Sequence, residues 1–232
     1  IHFDRFRLMW ANPFVEGILE KIRGTVSGDV KLTGTFDDIL TEGELVLSQV
    51  ALGVPFFATD YGIEGKPILK ITKNRLELEK ATIRDTKEGT TGNVEMLFTH
   101  KNFNDWDMSL EIDSKNLLVL NTENSADAYF YGKGYVAGAF SIKGPFEDLD
   151  INVDITTNKG TDFKIPFSNP VNVGNQSFVT YTGRSKDGYI VINPDEIEER
   201  LKASLGGLDV FVKAKITPDA SIELVMDETV GD

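Results

Sequence analysis

The sequence contains no cysteine, only two histidines, and no apolar run near the ~20 residues that a membrane-spanning helix needs. The absence of cysteine excludes disulfides, thiol catalysis and cysteine-bound zinc. His2 and His100 lie far apart without a metal-binding spacing, and His100 is expected to be an exposed structural residue at a strand end. Nucleophile elbows and phosphate-binding loops are missing as well. The sequence therefore predicts no enzyme, no cofactor and no metal site.

Basic residues are also scarce relative to acidic ones. The 232 residues include 24 Lys and Arg against 37 Asp and Glu, for a formal net charge of −13. Nucleic-acid binding requires basic residues that neutralise phosphates, and anionic lipid surfaces attract basic segments. The charge therefore argues against both partners and indicates a solvated outer face.

What the sequence does contain is apolar and polar residues in alternation from one end to the other. Because successive side chains of a strand point to opposite faces, this pattern predicts strands with one dry and one wet face. Turn signals rich in Gly, Asn and Lys separate the segments and favour antiparallel meanders. Clear examples are Val94-Met96-Phe98, Trp106-Met108-Leu110-Ile112, Val136-Gly138-Phe140-Ile142, Leu149-Ile151-Val153-Ile155 and Ile222-Leu224-Met226.

Two short segments have helical patterns. Asn193-Pro194-Asp195-Glu196 is typical of a helix start, and apolar residues at every fourth position predict a short helix over 194–205. A weaker candidate covers Phe14 to Ile22. Two short helices cannot cover the dry faces of so many strands, so the sheet must cover itself as a sandwich, a barrel or a folded-over solenoid.

An imperfect internal repeat supports this expectation. The segment from Gly24 to Gly34 is similar to the segment from Gly134 to Gly144, and each places glycines on a strand and continues to an aromatic residue and acids. Glycine inside a strand usually marks a sharp bend or a close backbone approach. Such repetition is typical of a quasi-one-dimensional β architecture.

The segment from Asp148 to Asp154 superficially resembles a calcium-binding loop. An EF-hand loop needs glycine at its sixth position, where this segment has Val153. The alternation of the segment instead predicts a strand with a polar outer face, so we expect no calcium site there.

The apolar stripe has two interpretations. It forms either an ordinary sandwich core or an open groove that holds lipid tails, and periodicity alone does not separate them. Burying a methylene is worth ~0.8 kcal/mol, so an acyl chain of about fifteen carbons would gain roughly 12 kcal/mol before ordering costs. The residues predicted to line the groove are Leu47, Leu78, Val94, Met96, Phe98, Met108, Leu110, Phe140, Ile142, Ile151, Val153, Val212, Leu224 and Met226.

Short motifs in a fixed order carry a resemblance to a known family. They include Asn12-Pro13-Phe14, Gly43-Glu44-Leu45, Asn74-Arg75-Leu76-Glu77-Leu78, Ala81-Thr82-Ile83-Arg84-Asp85, Leu120-Asn121-Thr122, Tyr129-Phe130-Tyr131-Gly132, Ile165-Pro166-Phe167, Leu208-Asp209-Val210 and Thr217-Pro218-Asp219-Ala220. With the glycine-bearing strands, these motifs resemble the C-terminal region of TamB proteins, relatives of the AsmA-like family of Gram-negative bacteria. The chain is then expected to be a piece of a longer protein.

The resemblance implies an all-β fold, an elongated folded-over sheet (a β-taco, similar to a β-solenoid) with an apolar interior and one or two short helices. Residues 1–232 would form a single part of the C-terminal β domain. The resemblance further implies a periplasmic, non-enzymatic role in outer-membrane biogenesis and protein secretion. The implied partners are phospholipid acyl chains and an Omp85-type barrel such as TamA, and an N-terminal helix outside this sequence would anchor the protein in the inner membrane.

Two other binding functions remain open. A protein-interaction module would assist outer-membrane protein assembly or secretion by adding a strand at a sheet edge. A carbohydrate-binding sandwich would use aromatic residues such as Trp10, Trp106 and Tyr129. The helix over 194–205 is further expected to cap or plug the groove near one end.

Overall fold

A computed structural model describes residues 1–35, 38–124, 130–167, 189–191 and 207–226. These residues form fourteen strands and two short 3₁₀ helices, so the predicted all-β class is confirmed. The 3₁₀ helices are Leu8–Phe14 and Pro55–Phe57. The strands are β1 (His2–Arg7), β2 (Glu20–Thr35), β3 (Asp38–Val54), β4 (Thr59–Ile63), β5 (Ile68–Thr72), β6 (Arg75–Asp85), β7 (Thr91–Lys101), β8 (Asn104–Thr122), β9 (Tyr131–Pro145), β10 (Asp148–Thr157), β11 (Asp162–Phe167), β12 (Tyr189–Val191), β13 (Gly207–Lys215) and β14 (Ser221–Met226).

All fourteen strands belong to one sheet in which chain neighbours mostly pair. The path of the sheet is β1-β2-β3-β4-β6-β7-β8-β9-β10-β13-β12, with β5 between β3 and β6 and with β11 between β9 and β14. Pairing is antiparallel from β1 to β10, as the turn signals predict. The pairs β10–β13 and β11–β14 are parallel, which differs from a pure antiparallel meander. Adjacent parallel strands need a connection longer than a hairpin turn, and the chain between β11 and β13 is long enough to provide one.

Breaks at matching positions divide successive strands of the sheet into two halves. β4 and β5 pair with different parts of β3, and β10 and β11 pair with different parts of β9. We call the part nearer the tight turns the hairpin half, which comprises 38–47, 68–78, 94–114, 138–156 and 207–215. The other part is called the loop half and comprises 50–63, 81–92, 117–124, 130–136, 162–167 and 221–226. The breaks lie at 64–67, 158–161 and 216–220, and β6 and β8 have β-bulges between Leu78 and Ala81 and between Ser114 and Leu117.

Within the loop half the sheet curves over far enough to bring β4 against β8. The Tyr61 hydroxyl on β4 donates a hydrogen bond to the Leu118 carbonyl on β8, at 2.8 Å, although β6 and β7 separate these strands in the sheet. One hydrophobic cluster contains residues of both halves. From the hairpin half it includes Leu45, Leu47, Leu78 and Val94, and from the loop half Val50, Ala81, Ile83 and Leu117.

Polar side chains replace the backbone hydrogen bonds that the breaks remove. The Thr161 hydroxyl donates to the carbonyl of Tyr135 and accepts from its N–H, both at 3.0 Å. The Asn158 amide donates to the carbonyl of Lys115 at 2.8 Å. Because Thr161 is buried, its two bonds satisfy backbone groups of Tyr135 that have little access to water. The break at 158–161 is therefore a satisfied corner of the sheet.

Glycines at one position of the internal repeat bring adjacent strands close together. Gly28 on β2 has φ +147°, and Gly138 on β9 has φ +136°. A Cβ on Gly28 would lie 2.1 Å from the carbonyl oxygen of Glu44, and one on Gly138 would lie 2.2 Å from that of Asp154. Both positions therefore require glycine for the same steric reason.

The predicted helix from Phe14 to Ile22 is wrong. The 3₁₀ helix ends at Phe14, Gly17 has φ +89°, and strand β2 has begun by Glu20. The backbone N–H of Ile22 donates to Oδ1 of Asn12 at 2.8 Å, which holds this residue in an extended segment. The predicted helix over 194–205 lies outside the described residues.

The prediction that His100 is exposed is also wrong. Only 5% of its surface is accessible, and its ring stacks on Phe103 and lies against Trp106, with both centroid separations 4.5 Å. The tight turn between β7 and β8 directs Phe103 back onto the imidazole, and the Phe103 N–H donates to Nδ1 at 2.9 Å. Burial lowers the pKa of His100 below its usual value.

Candidate functional site

The predicted groove residues occupy rows that cross the strands on one face of the sheet. Residues directly opposite each other in paired strands lie on the same face, so the pairing register orders them. The central row is Leu45, Leu69, Leu78, Met96, Leu110, Ile142 and Ile151. The corner-side row is Ala81, Val94, Ile112, Phe140, Val153 and Val212. The turn-side row contains Ile71, Leu76, Phe98 and Met108.

The exposure of these rows changes along the sheet. In the central row, Leu78 is 3% exposed, whereas Met96 and the residues beyond it are partly exposed. In the corner-side row, Val94 is buried and Phe140 is partly exposed. The partly exposed members of the predicted set are Met96, Phe98, Met108, Leu110, Phe140, Ile142, Ile151, Val153 and Val212. The apolar face is thus buried at Leu45, Leu78 and Val94, and the residues of its rows from β8 to β13 are all partly accessible.

Three predicted residues lie outside these rows. Leu47 is buried and pairs with Val26 of β2, two positions along β3 from the central row. On β14, the backbone of Leu224 pairs with Ile165 and that of Met226 with Phe167. The sequence-based set lacks six row residues, although Ile112 belongs to a clearly alternating segment. The six are Leu45, Leu69, Ile71, Leu76, Ala81 and Ile112.

The opposite face of the same strands is charged. Lys143 forms an ion pair with Glu111 at 2.5 Å, and Lys80 forms one with Asp113 at 3.3 Å. Such exposed pairs contribute little to stability, since solvent screens them. Their side chains alternate with those of the rows along each strand. The contrast between the two faces identifies the apolar one as the candidate site.

The acidic segment that resembles a calcium loop forms strand β10. Its alternate polar residues are exposed, namely Asp148, Asp150, Asn152 and Asp154. Asp154 forms an ion pair with Lys213 at 3.1 Å. Among the described residues, no group of three or more His, Cys, Asp or Glu side chains is arranged to hold a metal ion. The predicted strand with a polar outer face is confirmed.

The aromatic residues considered for sugar binding do not form a common platform. Trp10 is 68% exposed and lies on the first 3₁₀ helix, beside the start of β2. Trp106 lies near the turn at the opposite end of the strands and stacks on Phe146 at a centroid separation of 6.4 Å. Tyr129 lies outside the described residues. The two described tryptophans are therefore too far apart along the strands to bind one sugar.

The Tyr61 phenol packs against the hydrophobic cluster, and its titration tests the approach of β4 to β8. Burial raises its pKa from 10.0 to about 12. Since the folded chain disfavours the phenolate, this stabilisation is complete below pH 10 and is lost as pH rises to about 12. For Tyr61→Phe we expect a loss of about 1 kcal/mol near neutral pH, from the missing hydrogen bond. As pH rises from 10 to about 12, the wild type should lose about 2–3 kcal/mol of unfolding free energy through the Tyr61 phenol. Tyr61→Phe should lack this loss.

Urea denaturation at a series of pH values measures both effects. Tyr135→Phe, which removes a tyrosine hydroxyl outside the Tyr61–Leu118 contact, is the matched control variant. An alkaline slope of Tyr61→Phe equal to that of the wild type would contradict the buried environment of Tyr61.

Comparison with known proteins defines the family. A family model described as the TamB C-terminal domain matches residues 79–229. The chain belongs to the TamB family. The match contains every predicted groove residue except Leu47 and Leu78. No curated protein and no solved structure matches the chain.

Membership in the TamB family has coarse functional consequences. TamB proteins are non-enzymatic, envelope-associated components of outer-membrane biogenesis that work with TamA-type partners. In the part of the chain that the structure describes, no helix is long and apolar enough to cross a membrane. The finer function depends on what the apolar face binds.

Proposed function

We propose that the rows from Met96 to Val212 form a groove that holds phospholipid acyl chains and passes them through the periplasm between the inner and outer membranes. The observation that carries this proposal is the partial exposure of the rows from β7 to β13, on a face without ion pairs. A closed sandwich core would bury these side chains as completely as it buries Leu78.

The dimensions of the central row suit a lipid tail. The accessible part of the rows crosses the five neighbouring strands β7, β8, β9, β10 and β13, which lie ~4.8 Å apart, so it is roughly 19 Å long. A bilayer core is about 30 Å thick, so the acyl chain of one leaflet extends about 15 Å. Each methylene that moves from water onto the row gains ~0.8 kcal/mol. The row therefore accommodates a complete chain with a large favourable transfer energy.

The second candidate function is assembly of outer-membrane proteins by strand addition. β1 pairs only with β2 and β14 only with β11 among the described strands, so no other described strand covers their outer edges. An Omp85-type barrel of the TamA kind is the proposed partner for such an edge in either function. Strand addition would use backbone groups at an edge and would not require the apolar rows.

Mass spectrometry of organic extracts from purified protein tests the groove. We expect phospholipid in the wild type and about tenfold less in Ile142→Asp, because a carboxylate on the central row would have to be desolvated without a partner. Ser141→Asp is the matched control, since Ser141 precedes Ile142 on β9 but lies on the charged face opposite Glu111.

Circular dichroism must show that the variants are folded, and Ile142→Trp provides a second block that adds bulk without charge. Phospholipid that is retained equally in the Ile142 and Ser141 variants would contradict the groove. A wild type free of lipid would favour the strand-addition function.

A further inference from the structure

The tight turn between β7 and β8 places a strained backbone beside a buried histidine. Its two central residues are Asn102 and Phe103, with φ of +49° and +63°, and the flanking residues Lys101 and Asn104 pair with each other. Asparagine tolerates a positive φ, but the second central position of such a turn strongly prefers glycine. Phenylalanine at that position is therefore under backbone strain that the surrounding contacts must offset.

The side chains of two neighbours hold the Phe103 backbone. Its N–H donates to Nδ1 of His100 at 2.9 Å, and its carbonyl accepts from Nε1 of Trp106 at 3.0 Å. The imidazole also contacts both aromatic rings, with both centroid separations 4.5 Å. Phe103 is the most exposed of the three residues, at 41%. The strained turn is thus fastened to His100 by one hydrogen bond and one ring contact.

The hydrogen bond to Nδ1 fixes the protonation state of His100. A backbone N–H can only donate, so Nδ1 must present a lone pair and the hydrogen of the neutral ring lies on Nε2. Nε2 is buried and has no hydrogen-bond partner in the described part of the chain. A charged ring would have a second N–H, at Nδ1, directed at another donor. The adjacent rings attract a cation, but they supply no hydrogen-bond acceptor for it.

Charged groups around His100 do not offset this cost. Burial is the cause that lowers the pKa of His100, and no carboxylate contributes to the shift. The charged side chains on the surrounding elements are all exposed, and they are Lys101 and Asp105 of the turn, Asp107 of β8, Lys73 and Arg75 beside Asn74, and Glu147 and Asp148 beside Phe146.

We propose that His100 and Phe103 form a pH-sensitive latch, in which protonation of the imidazole breaks the bond from the Phe103 N–H to Nδ1 and releases the strained turn. Because the pKa of His100 in the closed turn lies below its usual value of 6.5, the latch is complete above pH 6.5 and is lost as pH falls through the lowered pKa. The latch is a property of the turn and does not depend on the lipid function proposed above.

The latch borders the apolar rows. Phe98, in the turn-side row, lies against Phe146 at a centroid separation of 6.0 Å, and Phe146 stacks on Trp106. Release of Phe103 would therefore loosen the ring cluster at the turn-side edge of the apolar face. In the proposed groove this would open that edge to a ligand, and this consequence alone rests on the lipid function.

Nuclear magnetic resonance of the imidazole tests the protonation state directly. The chain has two histidines, so His2→Gln leaves His100 as the only imidazole. We expect the ring-nitrogen shifts at pH 8 to show the hydrogen on Nε2. A titration from pH 8 to pH 4 should then show the charged ring with a midpoint below 6.5.

Amide hydrogen exchange in the same His2→Gln protein measures the latch. The protection of the Phe103 N–H, relative to its intrinsic exchange rate at each pH, should fall roughly fivefold or more between pH 8 and pH 5. The N–H of Leu118 is the internal control, because it donates to Oγ1 of Thr90 in the loop half of the sheet. Its protection should not change.

Two substitutions of His100 separate the acceptor from the charge. In His100→Asn, an amide oxygen near the position of Nδ1 accepts the Phe103 N–H and cannot be protonated, so the Phe103 protection should be independent of pH. In His100→Phe, a ring remains but the acceptor is missing, so the protection should be low at pH 8 and at pH 5.

Three results for the His2→Gln protein would overturn the latch. They are a hydrogen on Nδ1 at pH 8, a ring that stays neutral down to pH 4, and a charged ring beside an unchanged Phe103 protection. An equal loss of protection in His100→Asn at low pH would also overturn it, since a carboxyl group would then carry the pH dependence. None of these measurements involves lipid, so a failed latch and a failed groove are distinguishable.

Discussion

Gly138→Ala is expected to lower the free energy of unfolding by about 3–5 kcal/mol, the largest effect among the variants considered. The new Cβ would lie 2.2 Å from the carbonyl oxygen of Asp154, and the backbone φ of +136° is one that alanine rarely adopts. Relief of the clash requires β9 and β10 to separate, which breaks their pairing and displaces Phe140 and Val153 in the corner-side row. The variant is therefore expected to change both the stability and the geometry of the corner-side row.

Urea denaturation measures this loss against Gly62→Ala. A Cβ on Gly62 would meet the nearest atom, Cβ of Ala51, at 3.8 Å, which is an ordinary contact. Gly28→Ala should resemble Gly138→Ala, because Gly28 occupies the corresponding position of the repeat. If Gly138→Ala and Gly62→Ala were equally stable, the close approach of β9 and β10 would be incorrect.

Leu118→Ala is expected to cost about 3–4 kcal/mol. The Leu118 side chain is 0% exposed, and truncation of a fully buried leucine removes its transfer energy and leaves a cavity. Its backbone carbonyl also accepts the Tyr61 hydroxyl, so relaxation around the cavity would weaken the contact between β4 and β8. Leu118 therefore stabilises the folded-over form of the sheet.

Thermal and urea denaturation of Leu118→Ala compare directly with Leu32→Ala. Leu32 is 46% exposed near the turn after β2, so its truncation should cost less than about 1 kcal/mol. Similar losses in the two variants would show that the loop half of β8 is loosely packed, contrary to the structure.

Alternation along single strands was predictable from the sequence, because it depends only on neighbouring residues. The segment Trp106-Met108-Leu110-Ile112 has its side chains on one face of β8, as the period of two requires. The order of strands across the sheet is a property of pairing between distant segments. The rows that join Met96 to Leu110 and then to Ile142 therefore required the structure.

The corner of the sheet was not predictable for a related reason. Asn158 and Thr161 have the composition of an ordinary turn, and their hydrogen bonds to Lys115 and Tyr135 connect segments that are distant in sequence. His100 was mispredicted because the composition around a strand end does not show that Phe103 and Trp106 fold back over the ring. Both errors concern tertiary contacts that a linear pattern does not encode.

The rows that cross the strands have a kinetic consequence. Along the central row, similar branched or thioether side chains recur once per strand, about every 4.8 Å, from Leu110 through Ile142 to Ile151. A flexible chain that moves by one strand exchanges one set of contacts for a nearly identical set, so no position is a deep energy minimum. In the proposed groove, such a surface would offer an acyl chain a series of nearly equivalent positions and no single binding site, so movement along it would depend little on tail length.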